Sequence, residues 1–263
     1  MKRLKFFPSL ILGSSCLLTT SLPVSAALLA HYSFDSDYSL TGGSYAGTLS
    51  ETESGGATVG ITTTAGEHVF GGGAATFSST VGDQAYLGMS IPLNFTATEA
   101  WSVSLWVRRS AGSDVRQGMV AGDISNTTDF LWAADNPTQV QGMRFRSSGN
   151  TNANFGGHPD DGNFHHWVVI SDGSGTVSAY RDNVAQTDVS SSAAFAMNTI
   201  GHAYNATTFS MNGQIDELYI FGEAIDATTV DSLFNANAIP EPSSAMMVMA
   251  LGGLSFLRRR RVA

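Results

Sequence analysis

The chain has 263 residues, of which 43% are apolar by type, with a formal net charge of −9 and a single cysteine. Seven of its thirteen basic residues, Lys2, Arg3, Lys5 and Arg258 to Arg261, lie at the two ends, so 27–239 keeps six arginines and no lysine against twenty-one acids, a net charge near −15. A surface so acidic excludes nucleic acid and anionic lipid headgroups, which need cationic partners, and leaves divalent cations and neutral glycans open.

The first element is a leader. Lys2, Arg3 and Lys5 precede an apolar stretch over 6–18, and Val24-Ser25-Ala26 supplies small residues before Ala27, the pattern of a cleaved export signal over 1–26. Cys16 lies within it, and Gly13-Ser14-Ser15 lacks the leucine usual three residues before a lipidated cysteine. Cleavage after Ala26 leaves a mature chain without cysteine, so its fold cannot depend on disulfides.

From 27 to 237 short apolar alternations are separated by Gly, Ser, Thr, Asn and Asp, which predicts antiparallel strands joined by turns. The clearest strands fall at 28–34, 74–77, 86–89, 101–108, 118–121, 130–133, 142–146, 164–170, 176–181 and 213–221. Ten or more strands in one domain imply two stacked sheets. In the strand over 101–108, Val103, Leu105 and Val107 form a core face, while Ser102, Ser104, Trp106 and Arg108 take the other. Asp172-Gly173-Ser174-Gly175 and Asp182-Asn183 are turn chemistry and mark hairpin ends. One helix is predicted over 226–234, capped by Asp226, with Val230, Leu233 and Phe234 at helical spacing.

The last segment, 238–263, holds Pro240-Glu241-Pro242, an apolar run over 245–257 and then Arg258, Arg259, Arg260 and Arg261. As a helix the run spans about 20 Å, short of a bilayer core of about 30 Å, and the arginines hold its end on the cytoplasmic side. The order of tripeptide, short apolar helix and arginine cluster resembles the PEP-CTERM sorting signal of Gram-negative bacteria. The resemblance implies cleavage by an exosortase near Pro240 to Pro242 and delivery to the cell envelope, surface or extracellular matrix, with only transient contact with the membrane.

The internal segments, in order, are Leu29-Ala30-His31-Tyr32-Ser33-Phe34-Asp35, Ala74-Ala75-Thr76-Phe77, the strand from Trp101, Phe164-His165-His166-Trp167-Val168-Val169, Val177 to Asn183 and Met211 to Phe221. Together they resemble the laminin-G-like jelly-roll family. The resemblance implies an all-β, two-sheet antiparallel sandwich of the concanavalin A-like kind over 27–237, an architecture shared by lectins, adhesion modules and some glycanases, so function must come from a site.

Catalysis finds little support in the residues. Glycanases of this architecture set their carboxylates on one strand as Glu-x-Asp-x-x-Glu or a close variant, because a retaining pair must stand about 5 Å apart. Here Glu51 and Glu53 lie in a loop-like stretch, and Asp216 and Glu217 are adjacent and so point to opposite faces of a strand. The mature chain has no cysteine and no Gly-x-Ser-x-Gly elbow, His165 and His166 read as strand residues pointing one inward and one outward, and His158-Pro159-Asp160-Asp161 lacks the spacing of a zinc site. The expectation is a non-enzymatic module that binds polysaccharide or another matrix component. A protein-binding structural or adhesion role and a glycan-cleaving enzyme of the same fold are the alternatives. Trp106, Trp132 and Tyr204 are the candidate sugar platforms, with Asn126, Asn152, Asn154 and Asn205 to fix hydroxyls. Trp101 and Trp167, and Trp106 as well, have packing as the competing role.

The jelly-roll resemblance further implies a structural calcium ion, with an acid of the first strand region and the aspartate of the late Gly-x-Ile-Asp strand as ligands. The matching residues are Asp35, Asp37 and Asp216, and the Gly71-Gly72-Gly73 turn would add carbonyls. The competing reading is that Asp216 accepts backbone hydrogen bonds in a turn and that Asp35-Ser36-Asp37 simply ends a strand.

Overall fold

Strand β6 (Trp101–Arg109) alternates as its sequence requires: Val103, Leu105 and Val107 are fully buried in the main core, while Ser102, Ser104, Trp106 and Arg108 face the other way. A computed structural model describes residues 27–79, 82–110, 116–122, 130–136, 139–147, 152–157, 161–190, 194–203 and 209–236. Ahead of β6 come β1 (Leu28–Tyr32), β2 (Leu49–Ser54), β3 (Thr58–Thr62), β4 (Ala74–Ser78) and β5 (Gln84–Phe95). After it follow β7 (Gln117–Ala121), β8 (Phe130–Asn136), β9 (Gln139–Arg146), β10 (Asn152–Asn154), β11 (Phe164–Ser171) and β12 (Thr176–Arg181). The last elements are β13 (Val184–Ala185), β14 (Val189–Ser190), β15 (Phe195–Ile200), β16 (Gly213–Phe221) and α1 (Ala227–Ala236).

These strands form two antiparallel sheets. One runs β13-β12-β11-β6-β16-β4-β3, with β1 on β16 and β14 on β12; the other runs β10-β9-β8-β7-β15-β5-β2. Strand β16 is buried along its whole length because β6 covers one edge while β4 and then β1 share the other. Gly213 permits the close start of that pairing: its φ is +149°, and a Cβ there would run into the Arg108 carbonyl oxygen. Trp101 of β6 meets Phe145 of β9 and Phe195 of β15 at ring centroid distances of 5.1 Å each, which ties the two sheets through the core.

A second apolar layer lies outside the first sheet. Asp226 caps α1 by accepting a 2.8 Å hydrogen bond from the Thr229 N–H. The helix then sets Val230 and Leu233 against Val168, Ile170, Tyr219 and Phe221. Phe234 stacks on Trp106 at 5.4 Å and 16°, and His166 packs beside both. The predicted sandwich and closing helix are therefore present, and the Asp182-Asn183 turn has φ values of 50° and 63°, the conformation of a tight hairpin.

The sequence missed β2, β3, β10 and β13 to β15. Glu51 and Glu53 lie in edge strand β2, not in a loop; their Ser, Thr and Glu neighbours carry no apolar alternation because the strand is largely exposed. The alternation rule also fails at Asp216 and Glu217. A bulge between Asp216 and Tyr219, with Glu217 at φ +51°, sets two residues against one of β6 and turns both carboxylates to the outer side.

Candidate binding face

The outward face of the seven-stranded sheet is built by register. Ser50 pairs with Gly88, Gly88 with Thr199, Thr199 with Ala121, Ala121 with Phe130, Phe130 with Arg146, and Arg146 with Asn152, giving one row across all seven strands. Beside it a second row holds Thr52 opposite Tyr86, and Gly118, Trp132, Arg144 and Asn154 in succession. The residues that alternate with these rows, Ala85, Leu87, Met89, Met143 and Phe145, are core. Among the described residues no helix or strand packs across this face. The turn at His202 and Ala203 borders it, passing close over Gly118 and setting the His202 ring 5.9 Å from Tyr86.

At the β2, β5 and β15 end the face holds a depression of about 280 Å³, lined by Ser50, Thr52, Tyr86, Ser90, Asn198 and Thr199 around Gly88. Gly88 has no side chain to fill it, and a bulge between Met197 and Thr199 brings Asn198 to its rim. The lining is hydroxyl, amide and one part-exposed aromatic ring, the chemistry that recognises a sugar. Sequence reasoning did not single out Tyr86 or Asn198, although the alternation of 86–89 already set Tyr86 opposite in facing to Leu87. Toward the other edge stand Arg144 and Arg146, both part-buried. Burial, and then the charge of nearby Arg116, lowers the Arg144 pKa.

The sequence candidates separate. Trp106 is 9% exposed, covered by Phe70, His166 and Phe234, so it belongs to the layer under α1 and offers no platform. Trp132 stands on the outward face by register, between Gly118 and Arg144, while its side chain lies outside the described residues. Tyr204, Asn126 and Asn205 lie outside them too, as do the sorting segment with Pro240, Glu241, Pro242 and Arg258 to Arg261, and the leader. Asn154 is exposed on β10, in the row of Arg144. His166, on the outer side and 1% exposed, bonds Ser104 Oγ at 2.8 Å, and burial lowers its pKa to about 4. His165 instead lies between Asp182 at 2.8 Å and Asp161 at 3.2 Å.

Asp35 and Asp216 reach the same turn, and through the same kind of donor. Asp35 Oδ1 accepts the Gly72 N–H, while Asp216 Oδ2 accepts the N–H groups of Val69 at 2.7 Å and Phe70 at 3.2 Å. Asp37 Oδ1 accepts the Ser39 N–H at 2.7 Å. Asp216 is fully buried, its Oδ1 has no hydrogen-bond partner, and burial is the main cause that pushes its carboxyl up to about 7. Calcium requires six to eight oxygens. Here the Val69, Phe70 and Gly72 N–H groups take one oxygen of each carboxylate, and no three His, Cys, Asp or Glu side chains among the described residues gather to hold a metal. Side chains alone do not complete the implied calcium shell. Glu217, 3% exposed, is held by His31 Nε2 at 2.6 Å.

Comparison with known proteins places this geometry. The family profile described as the concanavalin A-like lectin/glucanases superfamily matches residues 78–231, and the PEP-CTERM protein-sorting motif matches 238–261. Domain 4 of AbnA, a GH43 extracellular arabinanase from Geobacillus stearothermophilus solved with arabinotriose, aligns with a TM-score of 0.57 at 22% identity, over 81% of this chain and 100% of that one. The binding domain of botulinum neurotoxin DC in complex with SialylT aligns with a TM-score of 0.54 at 13% identity, over 81% of this chain and 51% of that one. A structure of botulinum neurotoxin type C, described as dependent for cell entry on two ganglioside molecules, gives 0.53 at 14%, over 81% and 52%. This chain thus spans about half the length of the neurotoxin domains it matches. No curated protein matches it in sequence.

Proposed function

The chain belongs to the concanavalin A-like lectin/glucanases superfamily, and from that premise we propose that it is a non-catalytic, surface-displayed module that binds polysaccharide on the outward face of its seven-stranded sheet. The observation that carries the reading is the open, hydroxyl- and amide-lined depression around Gly88, with Tyr86 as its aromatic wall. On the opposite sheet α1 packs over Val168, Ile170, Tyr219 and Phe221. The sorting motif marks a bacterial chain for exosortase processing and export to the envelope or surface, where glycans are the abundant neighbours. Two neighbours in fold are described with arabinotriose and with SialylT, which supports a glycan as the kind of ligand.

The non-catalytic part rests on where the carboxylates are. Asp216 and Glu217 are buried and held by the Val69 and Phe70 N–H groups and by His31, away from the open face. Glu51 and Glu53 are exposed on edge strand β2, in the register of Leu87 and Ala85 rather than of Gly88 and Tyr86, and Glu53 accepts the Val59 N–H. Neither pair lines the depression, where a glycosidase would hold its acid and nucleophile.

The test is binding of the exported protein to a panel of polysaccharides, with Tyr86→Ala beside it. Stacking of one ring is worth on the order of 1 kcal/mol, so the substitution weakens binding about fivefold without changing the melting temperature. Unaltered affinity in the variant removes the site from this depression, and release of reducing sugar makes the protein an enzyme.

A further inference from the structure

Gly88 lies inside β5, where a glycine weakens a strand by giving it no side chain to pack. The fold does not demand one there. Its φ is outside the left-handed region, and a Cβ would meet nothing closer than Tyr86 Cε2 at 3.7 Å and the Ser50 oxygens at 3.8 Å, ordinary contact distances. Gly118 of β7 differs, since a Cβ there would run into Ala203. The space over Gly88 is thus left unfilled by the protein's own packing, and polar groups converge on it. Ser50, Thr52, Tyr86 and Asn198 line the depression, and their side chains make no hydrogen bond among the described residues.

The depression is closed on two adjoining sides and open on the other two. Toward β15, Thr199 and Ala121 are buried beside the equally buried turn of His202 and Ala203, and Thr199 Oγ1 lies 3.3 Å from the Ala121 carbonyl and 3.2 Å from that of His202. At the Tyr86 end the ring leans over Gly88 and stands 5.9 Å from the His202 ring. Opposite the turn, only edge strand β2 borders the site. Opposite Tyr86, β5 leaves its partner: between the Thr199–Gly88 and Met197–Leu93 pairs, Met89 to Pro92 stand against Asn198 alone, and 90–92 are exposed.

We propose that the depression is a socket for the terminal residue of a neutral glycan, at a chain end or a branch tip, rather than a groove along which a polymer lies. The proposal rests on the glycan-binding reading above and adds which part of the glycan is held. A polymer bound by its interior enters and leaves a site on opposite sides, and here each opening faces a wall. The two openings adjoin, so a chain passing from one to the other would have to turn a right angle over a single sugar. Size agrees with one residue: Tyr86 and Ser90 stand about 13 Å apart along the strand, before their side chains take their share. The volume of about 280 Å³ falls just below the roughly 300 Å³ at which small-molecule sites begin. The free hydroxyls and the Asn198 amide both donate and accept, as sugar hydroxyls do, and the Tyr86 ring suits the apolar face of a pyranose. No charged side chain lines the depression, and exposed Glu51 on β2 would repel a uronate or a sulfate.

The experiment measures binding of the exported protein to dextran, xylan and arabinan, to the one- to six-unit oligosaccharides of each, and to polygalacturonate as a charged counterpart. The disaccharide of the polymer that binds is expected to compete as well as its hexasaccharide. Partial hydrolysis, which multiplies chain ends at constant mass, is expected to raise the protein held per gram of polymer. Gly88→Val sends its methyl groups into the depression and is expected to weaken disaccharide binding about tenfold or more with the melting temperature kept. Gly88→Ala, whose methyl rests at ordinary contact distance, controls for folding and weakens binding less. Competition that strengthens steadily up to the hexasaccharide, with no gain from hydrolysis, overturns end recognition and leaves a glycan-binding module in place. Binding to polygalacturonate instead of the neutral polymers overturns the neutral assignment and also leaves the module. Binding to none of the four overturns both readings. Unchanged binding by the folded Gly88 variants overturns the socket.

Discussion

Asp216 is a carboxyl taken out of water by the fold. Its side chain is fully buried, and burial raises its carboxyl to about 7; the Val69 and Phe70 N–H groups pull the other way, and neighbouring Glu217 adds to the rise. A carboxyl whose folded pKa lies above its unfolded one is protonated in the native state while already ionised in the unfolded chain. Between pH about 4 and about 7 the native state thus holds the extra proton, and stability falls as pH rises through that window. Asp216→Asn keeps an oxygen for the two N–H groups and cannot ionise. Its melting temperature is therefore expected to change less with pH over that window than that of the unaltered protein, the difference amounting to a few kcal/mol at most. A constant offset between the two proteins across pH would refute this assignment. The same unfolding series in excess EDTA and in calcium is expected to coincide, because both Asp35 and Asp216 are engaged by N–H donors. A calcium shift abolished by Asp216→Asn would restore the ion.

At the level of elements, α1 determines which sheet face is open. Leu233 is fully buried between the helix and the outer side of the first sheet. Leu233→Ala leaves a cavity there and is expected to cost about 2 to 5 kcal/mol, read as a lowered denaturation midpoint. Polysaccharide affinity under native conditions is expected to stay unchanged, because the proposed binding face is on the other sheet; a parallel loss of affinity would place the site under the helix instead. The helix itself was legible in the sequence from Asp226 and the spacing of Val230, Leu233 and Phe234. What it covers was not. Trp106 has the alternation of a surface residue, and only the packing of Phe234 and His166 on its ring makes it part of the interior. Strand β2 was missed for the converse reason: an exposed edge strand needs no apolar period, and its order comes from backbone pairing with β5.

For the molecule as a whole, the sorting motif at 238–261 leads to a prediction about its mature form. Intact-mass analysis of the protein recovered from its native host is expected to show a chain ending near Pro240 to Pro242, without Arg258 to Arg261. A mature population that still carries the arginines would sink exosortase processing. The sequence by itself determined the sorting tail, the two-sheet sandwich, the inward row of β6 and the capped helix, because each is written in local order: a tripeptide and charge run, a period of two, or a cap with helical spacing. The site was decided only by tertiary structure. Gly88, Thr199 and Arg146 lie far apart in the chain and share a row through pairings of β5, β15, β7, β8 and β9 that no local pattern records. The facing of Glu217 depends on a single bulge.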